Sequence, residues 1–242
     1  MKFEEFNRYL SKSLDKMDIS YTEPKIKKLW LYMNFLLKEN KKYNLTSITD
    51  KEEIIKKHFL DSLAPLVEVD MDYFDNIIDI GTGPGFPGMI WKIFFPDKRF
   101  LLVDSTLKKV KFLKLLSVEL DIYDNLEIKH GRAENLANQN KYRETFDLVL
   151  SRAVAPLNIL SEYTIPFASE KSFLFYFKGP NHEEEIKKSQ NAFKKLGGKL
   201  EAKLKLNIPS LEADRYLIVY KKTKTTPKNY PRKAGTPKKR PL

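Results

Sequence analysis

From residue 76 onward the chain alternates short apolar runs with longer stretches of helical period, and few folds accept that rhythm. The runs are IIDI (77–80), FLLVD (100–104), LEIKH (126–130), FDLVLS (146–151) and FLFYFK (173–178), and helical stretches lie near 87–95, 106–120, 156–168 and 182–196. Strand alternating with helix predicts a parallel sheet covered on both faces. After Gly197 and Gly198, KLEAKLKLNIP and DRYLIVYKK read as two further strands joined by a Pro-containing loop.

The first 70 residues carry a different period. Phe3, Phe6, Leu10, Leu14 and Met17 recur every three or four residues, and a second segment opens at Pro24 with Ile26, Leu29, Trp30, Met33 and Leu37 on one face. A third opens at Asp50, with Glu53 placed for a capping box, and continues through Ile54, Ile55, His58, Phe59 and Leu63. The expected organisation is a helical extension over 1–70 packed on the core, an α/β domain over 71–222, and a basic tail over 223–242.

At 242 residues with 42% hydrophobic and 31% charged residues, the chain is expected to fold as a soluble globular protein. No apolar run reaches the roughly 18 residues of a membrane span, and MKFEEFNRYLSK has no signal-peptide core, so a cytoplasmic protein is expected. With no cysteine, and with His58, His130 and His182 scattered, no metal site is expected. The net charge of +12 is uneven: Lys221 to Leu242 holds nine basic residues and no acidic one. Four prolines interrupt the same segment, which reads as unable to build a core and suited to a polyanion.

The candidate site lies where IIDI ends in GTGPGFPG. Gly81, Gly83 and Gly85 let the backbone turn and approach a ligand closely, beyond the carboxyl end of the first strand, where open α/β sheets bind cofactors. Gly83, Gly85 and Gly88 also match the dinucleotide GxGxxG pattern. That register starts two residues late, and Pro84 and Pro87 remove two N–H donors that a pyrophosphate would need. S-adenosylmethionine has no phosphate and suits the loop better. Asp104, nineteen residues after Gly85 at the end of the second strand, stands where an acid binds ribose hydroxyls. HGRAEN places Ala133 and Glu134 at the end of the third, where the adenine edge should lie.

Together, YNLTSITDKEEIIKKHFLDSL (43–63), IDIGTGPGFPG (78–88), VDSTLKKVKFLK (103–114), HGRAE (130–134), SRAVAPL (151–157), FKG (177–179) and KNYPRKAGTPKKRPL (228–242) resemble the RsmG (GidB) family. These are bacterial 16S ribosomal RNA methyltransferases that make N7-methylguanosine from S-adenosylmethionine. The resemblance implies a class I S-adenosylmethionine-dependent methyltransferase fold, Rossmann-like, with a mostly parallel seven-stranded sheet and an N-terminal helical extension. It implies cofactor contacts at Gly81, Phe86, Ala133, Glu134 and Arg152, and 16S rRNA or the small ribosomal subunit as partner. Thr82 and Pro84 depart from the smaller residues expected there. A monomer is expected.

Guanine N7 has a free lone pair, so its methylation needs alignment and electrostatics but no general base. Consistently, the chain has no cysteine for a covalent route and no NPPY or DPPY after the fourth strand, where Ser151-Arg152-Ala153 stands instead. Arg152, Arg132 and Lys178 close neighbouring strands and are the candidates for orienting guanine or RNA phosphates, against the ordinary alternative of pairing with a nearby carboxylate. His58 reads as a packing residue, and Trp30 and Trp91 as core. The rival readings are an NAD-dependent oxidoreductase and a non-catalytic RNA-binding protein on the same fold.

Overall fold

The computed structural model describes all of residues 1–242. Helices α1 (Phe3–Lys16) and α2 (Glu23–Tyr43) bury Phe6, Leu10, Leu14, Ile26, Leu29 and Met33 in one core, as the three-and-four spacing requires. Pro24 occupies the first turn of α2, where no N–H is needed, and Asn44 ends the helix in the left-handed conformation at φ 47°. Asp50 Oδ1 accepts from Glu53 N at 2.9 Å and starts α3 (Lys51–Ile54). The helix then widens through a π-helical segment (Ile55–Leu60) before α4 (Asp61–Leu63). That wide turn carries His58 and leads into Asp61, both used below.

The alternating region follows in order: β1 (Asn76–Ile80), α5 (Gly88–Phe94), β2 (Arg99–Asp104), α6 (Leu107–Glu119), β3 (Leu126–His130), α7 (Ala133–Leu136), β4 (Phe146–Arg152), α8 (Leu157–Thr164), β5 (Ala168–Lys178), α9 (His182–Leu196), β6 (Gly198–Leu206) and β7 (Arg215–Lys222). The strands form one sheet in the order β3-β2-β1-β4-β5-β7-β6. The first five are parallel; β7 runs antiparallel between β5 and β6.

Alternation along the strands sends successive side chains to opposite faces. Ile77, Leu102, Leu148, Leu150 and Phe175 join the core with α5, α6 and the amino-terminal helices. Ile78, Ile80, Leu101, Val103 and Val149 join the core beneath α7, α8 and α9. Each buried Leu or Ile contributes about 1.5–3 kcal/mol relative to exposure, so the helices at residues 3–63 are held by the same burial that holds the sheet.

Two expectations are corrected. The helix predicted to reach 168 stops at Thr164, because Pro166 disfavours helical backbone before it and removes a donor. The strand then starts at Ala168, and a register shift between Phe146 and Leu148 lets 169–172 bulge outward. The basic end, read as unable to build a core, buries Thr226, Tyr230, Pro231 and Pro237 and forms a short helix, α10 (Thr236–Lys239). Tyr230 joins the core of α8 and α9, while Arg143 donates to the carbonyls of Tyr230 at 2.8 Å and Thr226 at 3.0 Å. No helix is long and apolar enough to cross a membrane.

Candidate active site

The strand order reverses between β1 and β4, and the crevice beyond their carboxyl ends is where an open sheet of this kind takes a ligand. The loop from Gly81 to Gly88 crosses it. All its N–H groups are committed internally: Gly81 and Thr82 donate to Val103 O, Gly83 to Asp104 Oδ2 at 2.9 Å, Gly85 and Phe86 to Thr82 O, and Gly88 to Asp79 Oδ2 at 2.9 Å. Pro84 and Pro87 have none to give. No donor remains to cradle a phosphate.

Beside this loop is a cavity of about 300 Å³. Gly81, Asp104, Arg132, Ala133 and Glu134 all line it, so the ends of β1, β2 and β3 converge as the sequence order suggested. A Cβ at Gly81 would fall on the side chain of Val154, so only glycine allows the 153–155 turn to lie this close. Asp104 is buried and accepts from Gly83 N and Thr106 N, which leaves lone pairs for a ligand hydroxyl. Glu134 is buried too; burial works to raise its carboxyl, but donation from Arg132 at 2.9 Å and Gly235 N at 3.0 Å outweighs this and holds it below the usual range. A larger cleft of about 560 Å³ lies at the amino ends of the strands, around Phe173 and Asp147, away from these groups.

Gly83, Gly85, Phe86, Arg152 and Lys178 are not on the wall of this cavity. The Gly85 position is crowded by Tyr32, Leu113 and Met89. Phe86 turns into the amino-terminal core and stacks on His58, with ring centroids 4.4 Å apart, and on Tyr32 at 5.4 Å. The Tyr32 hydroxyl donates to Pro84 O, so the aromatic group grips the loop from behind.

The three candidate cations each meet a carboxylate. Arg152 Nη1 lies 2.8 Å from Asp61 Oδ2, and its guanidinium carbon is 5.2 Å from the centre of the Phe86 ring. Arg215 approaches the other Asp61 oxygen at 3.4 Å. Burial pushes the Asp61 carboxyl up, and the two guanidiniums oppose it. Lys178 donates to Ala155 O at 2.9 Å and Glu185 at 2.7 Å, bracing the turn that carries Val154. Arg132 pairs with Glu134 but stays about half exposed.

His58 is half-buried, with Nε2 3.0 Å from Thr46 Oγ1. Burial, and then the charge of Arg152, lowers it to about 3, so the imidazole is neutral at ordinary pH. That agrees with a packing residue.

Asp79 is a residue the sequence reading missed, although an acid inside the apolar run IIDI was the available signal. It is fully buried and holds the far end of the loop through Gly88 N. Burial raises its carboxyl to about 7, against the pull of Thr82, Gly88 and Arg152. An unfolded Asp ionises near 4, so between about pH 4 and 7 the folded chain keeps a proton that the unfolded chain has lost. The contribution of Asp79 to stability therefore falls as pH rises through that window. Asp79→Asn keeps the acceptor for Gly88, and its melting temperature is expected to change less between pH 5 and 8 than that of the parent. Equal pH dependence in thermal melts would contradict the assignment.

A seven-stranded sheet of this order, with a nucleoside-sized cavity at its switch point and a donor-free glycine loop, defines a class I methyltransferase. An O-methyltransferase from Bacillus cereus, solved in complex with SAH, matches with a TM-score of 0.57 over 91% of this chain and 100% of that one, at 15% identity. The family model described as rRNA small subunit methyltransferase G matches residues 25–217. Relatives named ribosomal RNA small subunit methyltransferase G include one from Lactococcus lactis subsp. lactis, 41% identical over 95% of this chain and 96% of its own length. Another, from Alkaliphilus metalliredigens, is 43% identical over 90% of each. The chain belongs to the rRNA small subunit methyltransferase G family.

Proposed function

We propose that this protein transfers a methyl group from S-adenosylmethionine to N7 of a guanine in 16S ribosomal RNA. The observation that carries the reading is the loop Gly81–Gly88, with every N–H committed, beside a cavity that gathers Gly81, Asp104, Ala133 and Glu134. Such a place suits a nucleoside without phosphates and disfavours NAD, the chief rival.

The residues divide the work by position. Gly81 admits the amino-acid end of the cofactor, Asp104 takes the ribose hydroxyls, and Ala133 and Glu134 face the adenine. The cofactor, when bound, supplies an electrophilic methyl on a sulfonium. Arg152, at the end of β4 and held by Asp61, orients the guanine so that its N7 lone pair points along the transfer line. No side chain must remove a proton, and the neutral, half-buried His58 fits that economy. Arg132 is the most open of the three cations and meets the RNA backbone. Lys178 acts by bracing the 153–157 turn. The protein works as a monomer in the cytoplasm, on RNA or on the small subunit.

Equilibrium binding separates this reading from its rival. S-adenosylhomocysteine is expected to bind measurably in calorimetry, and NAD is expected not to bind. The reverse result would replace the proposal with a dinucleotide enzyme.

A further inference from the structure

The last turn of the chain is tied to the cofactor cavity. Glu162 on α8 is fully buried, and all of its hydrogen-bond partners come from Arg232: the backbone N at 2.6 Å, Nε at 3.0 and 3.1 Å, and Nη2 at 2.6 Å. A buried carboxylate satisfied by one residue fastens that residue firmly, since either partner alone would be left charged and unpaired. Three residues further, Gly235 N donates to Glu134 Oε1 at 3.0 Å, and Gly235 takes a left-handed turn at φ 84°. Pro237 is then buried, and Lys238 reaches the cavity wall.

We propose that residues 233–242 form part of the cofactor site, as a strap that closes the adenosine end of the cavity. The proposal rests on the cofactor reading above and adds to it a wall from the far end of the chain. Two effects follow from the geometry. The Gly235 N–H orients the Glu134 carboxylate toward the nucleoside, and Lys238 covers a side of the cavity that would otherwise open to water. A nucleoside site depends on covering most of its ligand, so removal of one wall costs affinity even when every other contact stays. Lys233, Lys239 and Arg240 are exposed, which leaves the strap's outer surface basic while its inner surface serves the cofactor.

The test is a chain ending at Arg232, which retains the Glu162 pair, compared with the full chain for binding of S-adenosylhomocysteine by calorimetry. The expected result is a dissociation constant raised at least tenfold. In the full chain, saturating S-adenosylhomocysteine is expected to slow amide hydrogen exchange across 233–240, a readout that holds if the shortened chain fails to fold. Unchanged affinity in a folded truncation, or unchanged exchange in the full chain, would overturn the strap, and a loss confined to 16S RNA binding would assign the segment to RNA alone. Failure of the full chain to bind S-adenosylhomocysteine would reject the cofactor reading together with the strap.

Discussion

Replacing Arg152 with alanine is expected to lower methyl transfer by about a hundredfold or more, the scale of loss when a reacting group is misplaced by an ångström. The residue ends β4, lies over the Phe86 ring and reaches Asp61 at 2.8 Å, so its head is held in one place at the junction of loop, sheet and amino-terminal helices. The same substitution has a second effect. It leaves Asp61 buried with only Arg215 at 3.4 Å, and breaking a buried pair in this way costs about 3–5 kcal/mol. Activity lost through unfolding must therefore be separated from activity lost through positioning. The double variant Asp61→Asn with Arg152→Ala removes the stranded charge, and should recover much of the melting temperature without recovering turnover. Wild-type turnover in that double variant would remove Arg152 from the reaction.

The second large effect concerns stability and distinguishes glycines that look equivalent in the sequence. At Gly85 the backbone has φ 111°, and a Cβ would come within 2.9 Å of Leu113 Cδ2 and Met89 Cβ as well as meeting the Tyr32 hydroxyl. Gly85→Ala combines backbone strain with overpacking against a helix, about 2–4 kcal/mol in all. For a chain of this size that corresponds to a melting temperature lower by roughly 5–15 °C. At Gly83 the φ of 62° lies in the left-handed region other residues visit, and nothing stands within 4 Å of a Cβ. Gly83→Ala should cost only about 1–2 kcal/mol. Thermal melts of the two variants check this, and equal losses would contradict the packing described.

The fold was largely legible because period alone separates helix from strand. All seven strands and the main helices fall close to where hydrophobic spacing put them. What period cannot show is partnership between distant residues. Phe86 is a cofactor contact implied by the family resemblance; what the loop sequence could not show is that Tyr32 and His58, far away in the chain, make an apolar pocket on which its ring stacks. For Arg152 and Arg132 the sequence left pairing with a carboxylate as the ordinary alternative, and which carboxylates, Asp61 and Glu134, became visible only once the chain was folded.

The basic end is the plainest case. Its lysines and prolines read as a solvated arm, because the carboxylates that hold it, Glu162 and Glu134, lie 70 and 101 residues earlier. Residues whose role depends on local backbone were accessible from sequence: Gly81, Asp104, Ala133 and Glu134 stand at the ends of three successive strands and do converge. Asp79 was passed over for the opposite reason, since an acid within an apolar strand fits neither half of the pattern.

The chain is proposed to methylate N7 of a guanine in small-subunit ribosomal RNA without a catalytic base. The most direct measurement incubates the protein with labelled S-adenosylmethionine and unmodified 16S RNA or small subunits, then locates the label by nucleoside mass spectrometry. The expected product is N7-methylguanosine at a defined position. Label on a ribose hydroxyl, on an exocyclic amine or on no nucleoside at all would contradict the account.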